Sequence, residues 1–171
     1  MSYNLFRRMK QELIDKYNVS VPRYTSYPPA NFFRLFTGEE FLREVDYSNE
    51  VREKNLSFYF HMPFCRRLCH YCGCNSYPMA KEECVKAYVQ ALHKEIDLVA
   101  KHIDKSRRIS QIHYGGGSPT AMPVSVLKEL NEHLLSLFST IEQPEIAIEC
   151  HPGYLTAEDW QGLLDARFNR F

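Results

Sequence analysis

The sequence lacks an excess of either charge, a long apolar run and a phosphate-binding glycine motif. Lys plus Arg and Asp plus Glu number 21 each, so the net charge does not point to a nucleic acid or an anionic membrane as partner. No apolar run approaches the roughly 18 residues of a membrane-spanning helix. Neither G-K-S/T nor G-x-G-x-x-G occurs, which argues against a loop that binds nucleotide phosphates. The start, M-S-Y-N-L-F-R-R-M-K, lacks the apolar segment of a secretory signal.

The composition is that of a globular protein. The 171 residues are 44% hydrophobic and 25% charged, which is enough for one ordinary domain with a sizeable core. The six cysteines are not expected to form structural disulfides in a chain without a secretory signal, because the cytosol keeps thiols reduced. We therefore expect a cytoplasmic protein with free thiols.

Four of the six cysteines lie in one short segment, Cys65–Cys74, which we call the cysteine loop. A disulfide is disfavoured by the reducing compartment and by the close spacing of Cys72 and Cys74. Zinc accepts C-x2-C spacing and would use four thiolates in a closed structural site. An iron–sulfur cluster also takes thiolates from a single loop, and C-x3-C-x2-C supplies three, which leaves one iron of a cubane open. The spacing favours the cluster, with zinc as the alternative.

The chain divides into an N-terminal preface, residues 1–55, and an alternating body, residues 56–171. In the preface, apolar residues at helical spacing predict a helix within residues 4–17. The Pro- and Tyr-rich stretch Val21–Ala30 is predicted to be extended. A further short helix is expected to begin at Thr37, because Glu40 completes a capping-box pattern.

The body alternates between predicted strands and helices, which indicates an α/β fold with a parallel sheet of βαβ units. The carboxyl ends of parallel strands meet at one edge of a sheet. The cysteine loop, the run Gly115–Gly117 and Glu149 all lie at or just after the ends of predicted strands and should therefore converge. The predicted strands are Leu56–Met62, Ile109–Tyr114, Glu145–Cys150 and the beginning of a fourth at Phe168. The predicted helices are one over residues 81–103, one carrying Leu127, Leu130, Leu134 and Phe138, and one capped by Thr156.

Four segments together resemble one enzyme family. The C-x3-C-x2-C motif after a first strand, followed by G-G-G-S-P-T after a second, is similar to the radical S-adenosylmethionine (radical SAM) enzymes. Within these, the four segments resemble the oxygen-independent coproporphyrinogen III oxidases (coproporphyrinogen dehydrogenases). The resemblance implies parallel βα units that form the first half of a partial (β/α)6 TIM-like radical SAM barrel. The segments are Lys16–Pro28, Tyr59–Asn75, Ile112–Thr120 and Glu145–Pro152.

The resemblance also implies cofactors and roles. The three motif cysteines, Cys65, Cys69 and Cys72, would hold a 4Fe–4S cluster, with S-adenosylmethionine on the open iron. One electron would then generate a 5′-deoxyadenosyl radical, which would abstract hydrogen from a propionate side chain. Oxidative decarboxylation of two propionates of coproporphyrinogen III would give the two vinyl groups of protoporphyrinogen IX. Tyr71 would lie beside a second S-adenosylmethionine. The residues expected to contact the first are Tyr59, Gly116, Gly117, Ser118 and Glu149.

Each of these residues also has a purely structural interpretation. The glycines serve a tight turn in one interpretation, and offer backbone N–H groups to the amino-acid end of S-adenosylmethionine in the other. Tyr59, on an aromatic strand, is most simply a core residue. Glu149 is expected to be a buried carboxylate that needs a partner, such as a bound ribose or ammonium group. Cys84 and Cys150 are expected to be ordinary buried cysteines, and Cys74 to lie near the cluster without binding it.

The sequence departs from the family pattern in length and at single positions. The family is far longer, so we expect a truncated chain whose activity on its own is doubtful. Ser118 stands where threonine is usual, and His151 carries no role from the resemblance. The expected partners are coproporphyrinogen III and an electron donor such as a flavodoxin, with the protein a monomer that binds neither nucleic acid nor membrane. The alternatives are a haem-chaperone relative, disfavoured by the Cys-Gly-Cys ending, and a zinc-binding structural protein.

Overall fold

The structure, a computed structural model, describes residues 11–18, 32–50 and 55–171. The chain divides into two compact units, residues 1–36 and 37–171. In the first unit, the predicted helix is described only from Gln11, where helix α1 spans Gln11–Tyr17. The rest of that helix and the stretch predicted to be extended lie outside the described residues.

Helix α2, Gly38–Glu50, belongs to the second unit, although its sequence placed it in the preface. Its start is the predicted capping box. The Glu40 N–H donates to Thr37 Oγ1 at 3.1 Å, and the Thr37 N–H donates to Glu40 Oε2 at 2.9 Å. Each bond satisfies a backbone donor that the first helical turn leaves without a partner.

A parallel sheet of three strands forms the centre of the second unit, in the order β1 (Asn55–Met62), β4 (Arg108–Gly116) and β5 (Thr140–Ile148). The predicted α/β fold is confirmed. A bridge between Ala147 and Arg170 begins the expected fourth strand. The third strand ends at Ile148, earlier than predicted, so that Glu149 follows it. The elements are β1 Asn55–Met62, β2 Phe64–Cys65, β3 Tyr77–Pro78, α3 Glu82–Ala100, β4 Arg108–Gly116, α4 Val124–Leu137, β5 Thr140–Ile148 and α5 Ala157–Asp165.

The two faces of the sheet differ in polarity because side chains alternate along each strand. One face is apolar and packs with buried residues of α4 and α5, including Leu127, Leu130 and Leu163. The buried strand residues of this face are Phe60, Met62, Ile112, Tyr114, Ile146 and Ile148. The opposite face carries Tyr59 and His113 instead. A sheet with only one apolar face leaves the other available for polar chemistry.

A buried polar chain ties the sheet to two helices. The Tyr114 hydroxyl donates to Asn131 Oδ1 at 2.8 Å, and Asn131 Nδ2 donates to the Ala166 carbonyl at 2.9 Å. Burial raises the pKa of the Tyr114 phenol, so it stays a hydrogen donor. These bonds link β4, α4 and the end of α5.

Helix α5 begins at the predicted cap. The Asp159 N–H donates to Thr156 Oγ1 at 3.2 Å, and the Thr156 N–H donates to Asp159 Oδ2 at 2.9 Å. That second bond lowers the pKa of Asp159. Within the described ranges, no helix combines the length and apolarity needed to cross a bilayer.

Candidate functional site

A cavity of about 720 Å³ lies at the carboxyl ends of β1, β4 and β5. It gathers eight of the nine predicted site residues, and Tyr59 lies just outside its lining. The convergence expected from the ends of parallel strands is therefore found. The lining residues are Cys65, Arg67, Leu68, Cys69, His70, Tyr71, Cys72, Cys74, Gly116, Gly117, Ser118, Glu149, His151 and Tyr154.

The cysteine loop is anchored at both ends by backbone hydrogen bonds. The Tyr77 N–H donates to the Pro63 carbonyl at 2.7 Å, and the Met79 N–H donates to the Cys65 carbonyl at 2.8 Å. These bonds form the short β2–β3 pair. Cys65 is buried at the base of the loop, whereas the cysteines further along it are exposed. The loop therefore presents its thiols to the cavity from a fixed base.

The environments of Cys72 and Cys74 differ in a way that bears on which thiol binds metal. The Ser76 hydroxyl lies 3.3 Å from Cys72 Sγ, and this hydrogen bond lowers the pKa of Cys72. The pKa of Cys74 is raised, mainly by the negative charge of Cys72. The Ser76 hydroxyl thus stabilises the thiolate of Cys72, and the thiolate is the form of cysteine that binds metal.

The donor set fits a cluster better than a single ion. Among residues 11–18, 32–50 and 55–171, no three His, Cys, Asp or Glu side chains surround one point as in a closed structural or catalytic zinc site. A cubane binds each thiolate through a different iron, so three thiols spread around one cavity suit it. The three motif cysteines would hold such a cluster.

The glycine run provides space rather than free N–H groups. The Gly117 N–H donates to the Met62 carbonyl at 2.8 Å, and the Ser118 N–H donates to the Phe64 carbonyl at 3.0 Å. A Cβ on Gly117 would lie 3.0 Å from Cys65 Sγ. The expectation that these amides are free for a ligand is therefore not met, and the absent side chain makes room for a motif cysteine.

Tyr59 and Glu149 are both more exposed than their purely structural interpretations predicted. Tyr59 is 59% exposed rather than a core residue, because it lies on the polar face of the sheet. The Glu149 side chain is 55% exposed rather than buried, because it follows the strand. Its carboxylate accepts from the Gly116 N–H at 3.3 Å and lies 3.4 Å from His113 Nε2. The Tyr59 ring stacks on His113, with centroids 5.8 Å apart.

The structure also gives the exposure of three other residues that the sequence analysis singled out. Tyr71 is fully exposed on the cavity wall, so its role beside a second S-adenosylmethionine stays a prediction. Cys84 is exposed, contrary to expectation. Cys150 is half-buried, and burial raises its pKa.

His61 is a site residue that the sequence reasoning missed. Its Nε2 lies 2.8 Å from the Asn75 carbonyl, and its Nδ1 lies 3.2 Å from the Tyr59 hydroxyl. Because a carbonyl only accepts, Nε2 carries the hydrogen and Nδ1 accepts from Tyr59. His61 thus joins β1 to the cysteine loop. Its position two residues after Tyr59 was the available signal, since both lie on the same face of the strand.

A family model and several relatives match the chain. The model of the Radical SAM superfamily matches residues 59–171, most of the chain. The chain therefore belongs to the radical SAM superfamily. A Mannheimia haemolytica protein named oxygen-independent coproporphyrinogen III oxidase is 39% identical over 141 residues, covering 82% of this chain and 94% of that relative. The chain accordingly belongs to the oxygen-independent coproporphyrinogen III oxidase family, as its motifs suggested.

Longer relatives match the same region. A Synechocystis protein of the same name is 36% identical over 160 residues, covering 93% of this chain and 34% of its own length. The solved structure of coproporphyrinogen III oxidase from Escherichia coli, described as a radical SAM enzyme, is 34% identical with a TM-score of 0.80. It covers 94% of this chain and 35% of that protein. The chain thus spans about a third of these relatives, and the likeness confirms the predicted radical SAM fold.

Proposed function

We propose that this chain forms the cluster- and S-adenosylmethionine-binding part of an enzyme that converts coproporphyrinogen III to protoporphyrinogen IX. The observation that carries the proposal is the single cavity that gathers the three motif cysteines, the glycine run and Glu149. The relatives' names supply the substrate and the reaction class. When bound, the cluster and S-adenosylmethionine would supply the one-electron chemistry for the oxidative decarboxylation of two of the substrate's propionates to vinyl groups, with loss of CO2 from each.

The protein's own residues would hold and orient these groups. The low-pKa thiol of Cys72 and the exposed thiol of Cys69 would bind irons from the rim of the cavity. Cys65 would bind from its base, beneath the Gly117 backbone. Glu149 would offer a carboxylate oxygen to the ribose hydroxyls or ammonium group of S-adenosylmethionine. Ser118, whose hydroxyl lies 3.7 Å from Cys65 Sγ, would contribute a donor beside the cluster.

The aromatic residues would provide the remaining contacts. The exposed ring of Tyr59 would lie against the first S-adenosylmethionine, and the exposed ring of Tyr71 would stack on a second. An electron donor such as a flavodoxin would reduce the cluster. Location in the cytoplasm follows from the need to keep the thiols reduced.

The test of the site is anaerobic. The reduced cluster is reconstituted in the chain, and its electron paramagnetic resonance spectrum is recorded with and without S-adenosylmethionine. We expect the ligand to change the spectrum in the parent and to change it less in Glu149→Ala at equal iron content. The matched control is Glu142→Ala, which removes an exposed carboxylate near the start of the same strand.

The outcomes separate the parts of the proposal. A spectral response in the parent and in Glu142→Ala, weakened in Glu149→Ala, supports the assigned contact. Equal responses in all three proteins would show that Glu149 does not touch the ligand. A reconstituted cluster that never responds to S-adenosylmethionine would contradict the proposed function as a whole.

A further inference from the structure

Two histidines face each other in the helical layer, on elements that do not line the cavity. His93 lies on α3 and His133 on α4, and their Nδ1 atoms are 2.7 Å apart. The ring centroids are 4.9 Å apart, and each side chain is 22% exposed. The catalytic site proposed above uses neither residue. Two imidazole nitrogens in contact are a ready pair of metal ligands.

Each histidine also has a carboxylate at its other ring nitrogen. His133 Nε2 lies 2.9 Å from Asp97 Oδ1, and His93 Nε2 lies 3.5 Å from Glu129 Oε1. His93 and Asp97 are four residues apart on α3, and Glu129 and His133 are four apart on α4. Residues at that spacing lie on one face of a helix, so two His–carboxylate pairs oppose each other. Each carboxylate contacts the histidine of the other helix: Asp97 on α3 contacts His133 on α4, and Glu129 on α4 contacts His93 on α3.

Counting hydrogens shows that this arrangement is incomplete with two neutral rings. The contact between the two Nδ1 atoms and the two carboxylate contacts each need one ring hydrogen, but two neutral imidazoles carry only two. The contact that lacks a hydrogen is the one at His93 Nε2, which is buried and has no aligned hydrogen-bond partner among the described residues. Either a proton on one ring or a metal cation between the Nδ1 atoms would remove the shortage. With a metal cation there, both Nε2 atoms would carry hydrogen towards their carboxylates.

We propose that His93 and His133 bind a divalent transition metal ion of the Zn²⁺ class through their Nδ1 atoms. Imidazole nitrogen suits such ions, and a metal-bound histidine commonly donates its other N–H to a carboxylate. Asp97 and Glu129 fill that orienting role. Water completes the coordination at this half-exposed position. The site has two protein ligands.

Binding requires a small local movement and has a structural consequence. Two nitrogens bound to one tetrahedral ion at about 2.0–2.1 Å stand about 3.3 Å apart, so the rings must separate by about half an ångström. The ion would then join α3 to α4, the helices of two successive βα units. Since only the folded chain brings the two rings together, the metal would favour the folded state by mass action.

The site is tested by zinc titration of the full, reduced chain, followed through the nitrogen-15 shifts of the histidine rings. These shifts identify the binding atom, which total metal content cannot do because the cysteine loop also takes zinc. We expect saturable shifts of Nδ1 in His93 and His133, and a higher unfolding temperature at saturation. Shifts at Nε2, or no shift in either ring while the cysteines take up zinc, would overturn the proposal.

Variants give a second, independent test. His133→Gln should abolish the His93 shift, and Asp97→Asn, a change on the helix surface, should weaken zinc binding at this site about tenfold or more. The matched control is His102→Ala, since His102 also contacts a carboxylate, Asp46, through a ring nitrogen 3.2 Å away. It should leave the affinity unchanged. Equal affinity in Asp97→Asn and the parent would overturn the orienting role, and equal affinity in His133→Gln would overturn the site.

Discussion

Replacing Gly116 with alanine should destabilise the fold by pushing directly on His61. Gly116 has φ +113°, a conformation that side chains rarely adopt, and an added Cβ would stand 2.6 Å from His61 Cε1. Carbon atoms in contact prefer about 3.5–4.0 Å. The His61 ring cannot swing away freely, because hydrogen bonds to Tyr59 and Asn75 hold both of its nitrogens.

The size of the effect follows from three contributions. Forcing a side chain into this backbone region costs about 1–3 kcal/mol. Overpacking against a held ring adds about 1–3 kcal/mol. Lower entropy of the unfolded chain returns about 0.4–1 kcal/mol. The Gly116→Ala chain should therefore lose about 1–5 kcal/mol of unfolding free energy.

A double-mutant cycle separates the clash from the backbone strain. In a His61→Ala background the ring is gone, so Gly116→Ala should cost only the strain. We expect a coupling energy of about 1–3 kcal/mol between the two positions, equal to the overpacking contribution and within the range seen for residues in contact. If the unfolding free-energy changes of the two single variants add within about 0.5 kcal/mol, the His61 ring does not clash with the added Cβ, and the reasoning is refuted.

The assay is urea unfolding of the reduced chain, followed by circular dichroism. The matched control is Gly73→Ala, because nothing lies within 4 Å of a Cβ added at Gly73. It should change the unfolding free energy by less than about 0.5 kcal/mol. A loss in Gly73→Ala as large as that in Gly116→Ala would show that glycine content, rather than the contact with His61, controls stability.

Three further changes test the site and the scaffold. Alanine at any motif cysteine should abolish the iron–sulfur absorption of the reconstituted chain, whereas Cys74→Ala should keep most of it; a colourless Cys74→Ala beside a coloured motif variant contradicts the ligand assignment. Tyr114→Phe leaves Asn131 Oδ1 without its buried donor and should cost about 1–3 kcal/mol in urea unfolding, and an unchanged midpoint would contradict that. Asp159→Asn should reduce the unfolding free energy at pH 6 but not at low pH. The lowered pKa of Asp159 means that its carboxylate stabilises the fold above the ordinary pKa of 3.8, and this contribution disappears as pH falls through the lowered pKa. A difference between variant and parent that does not change with pH would count against this reasoning.

The sequence predicted most of the body of the fold because its signals are local. The capping boxes at Thr37 and Thr156 are pairs of residues three apart, and both are present. Strand β1 and helix α3 match their predicted positions within a few residues. Parallel pairing followed from the alternation of strands and helices. The ends of β4 and β5 were less accurate, because ladder bonds with neighbouring strands extend or shorten a strand beyond its apolar run.

Exposure at the site could not be predicted in the same way. Tyr59, on an aromatic strand, was expected to be most simply a core residue, because strands of parallel sheets are usually buried. In the structure, Phe60 is 5% exposed and its neighbour Tyr59 is 59% exposed. Both side chains are aromatic, so composition does not distinguish the two faces. Only the packing of the folded chain, which places Phe60 in the core cluster and leaves Tyr59 outside it, decides which ring is covered.

Residues that act through partners distant in sequence were the ones that the sequence analysis missed. His61 is hydrogen-bonded to Asn75, 14 residues later in the sequence, and His93 on α3 contacts His133 on α4, 40 residues later. Neither pair has a local spacing that marks it. The glycine run was visible as a motif in the sequence, but what its residues do in the fold could be seen only in the structure. Its amides are occupied within the protein, and what it provides is the volume that Cys65 and His61 fill. The motifs therefore identified residues that line the cavity, whereas the contacts that hold these residues in position could be seen only in the folded chain.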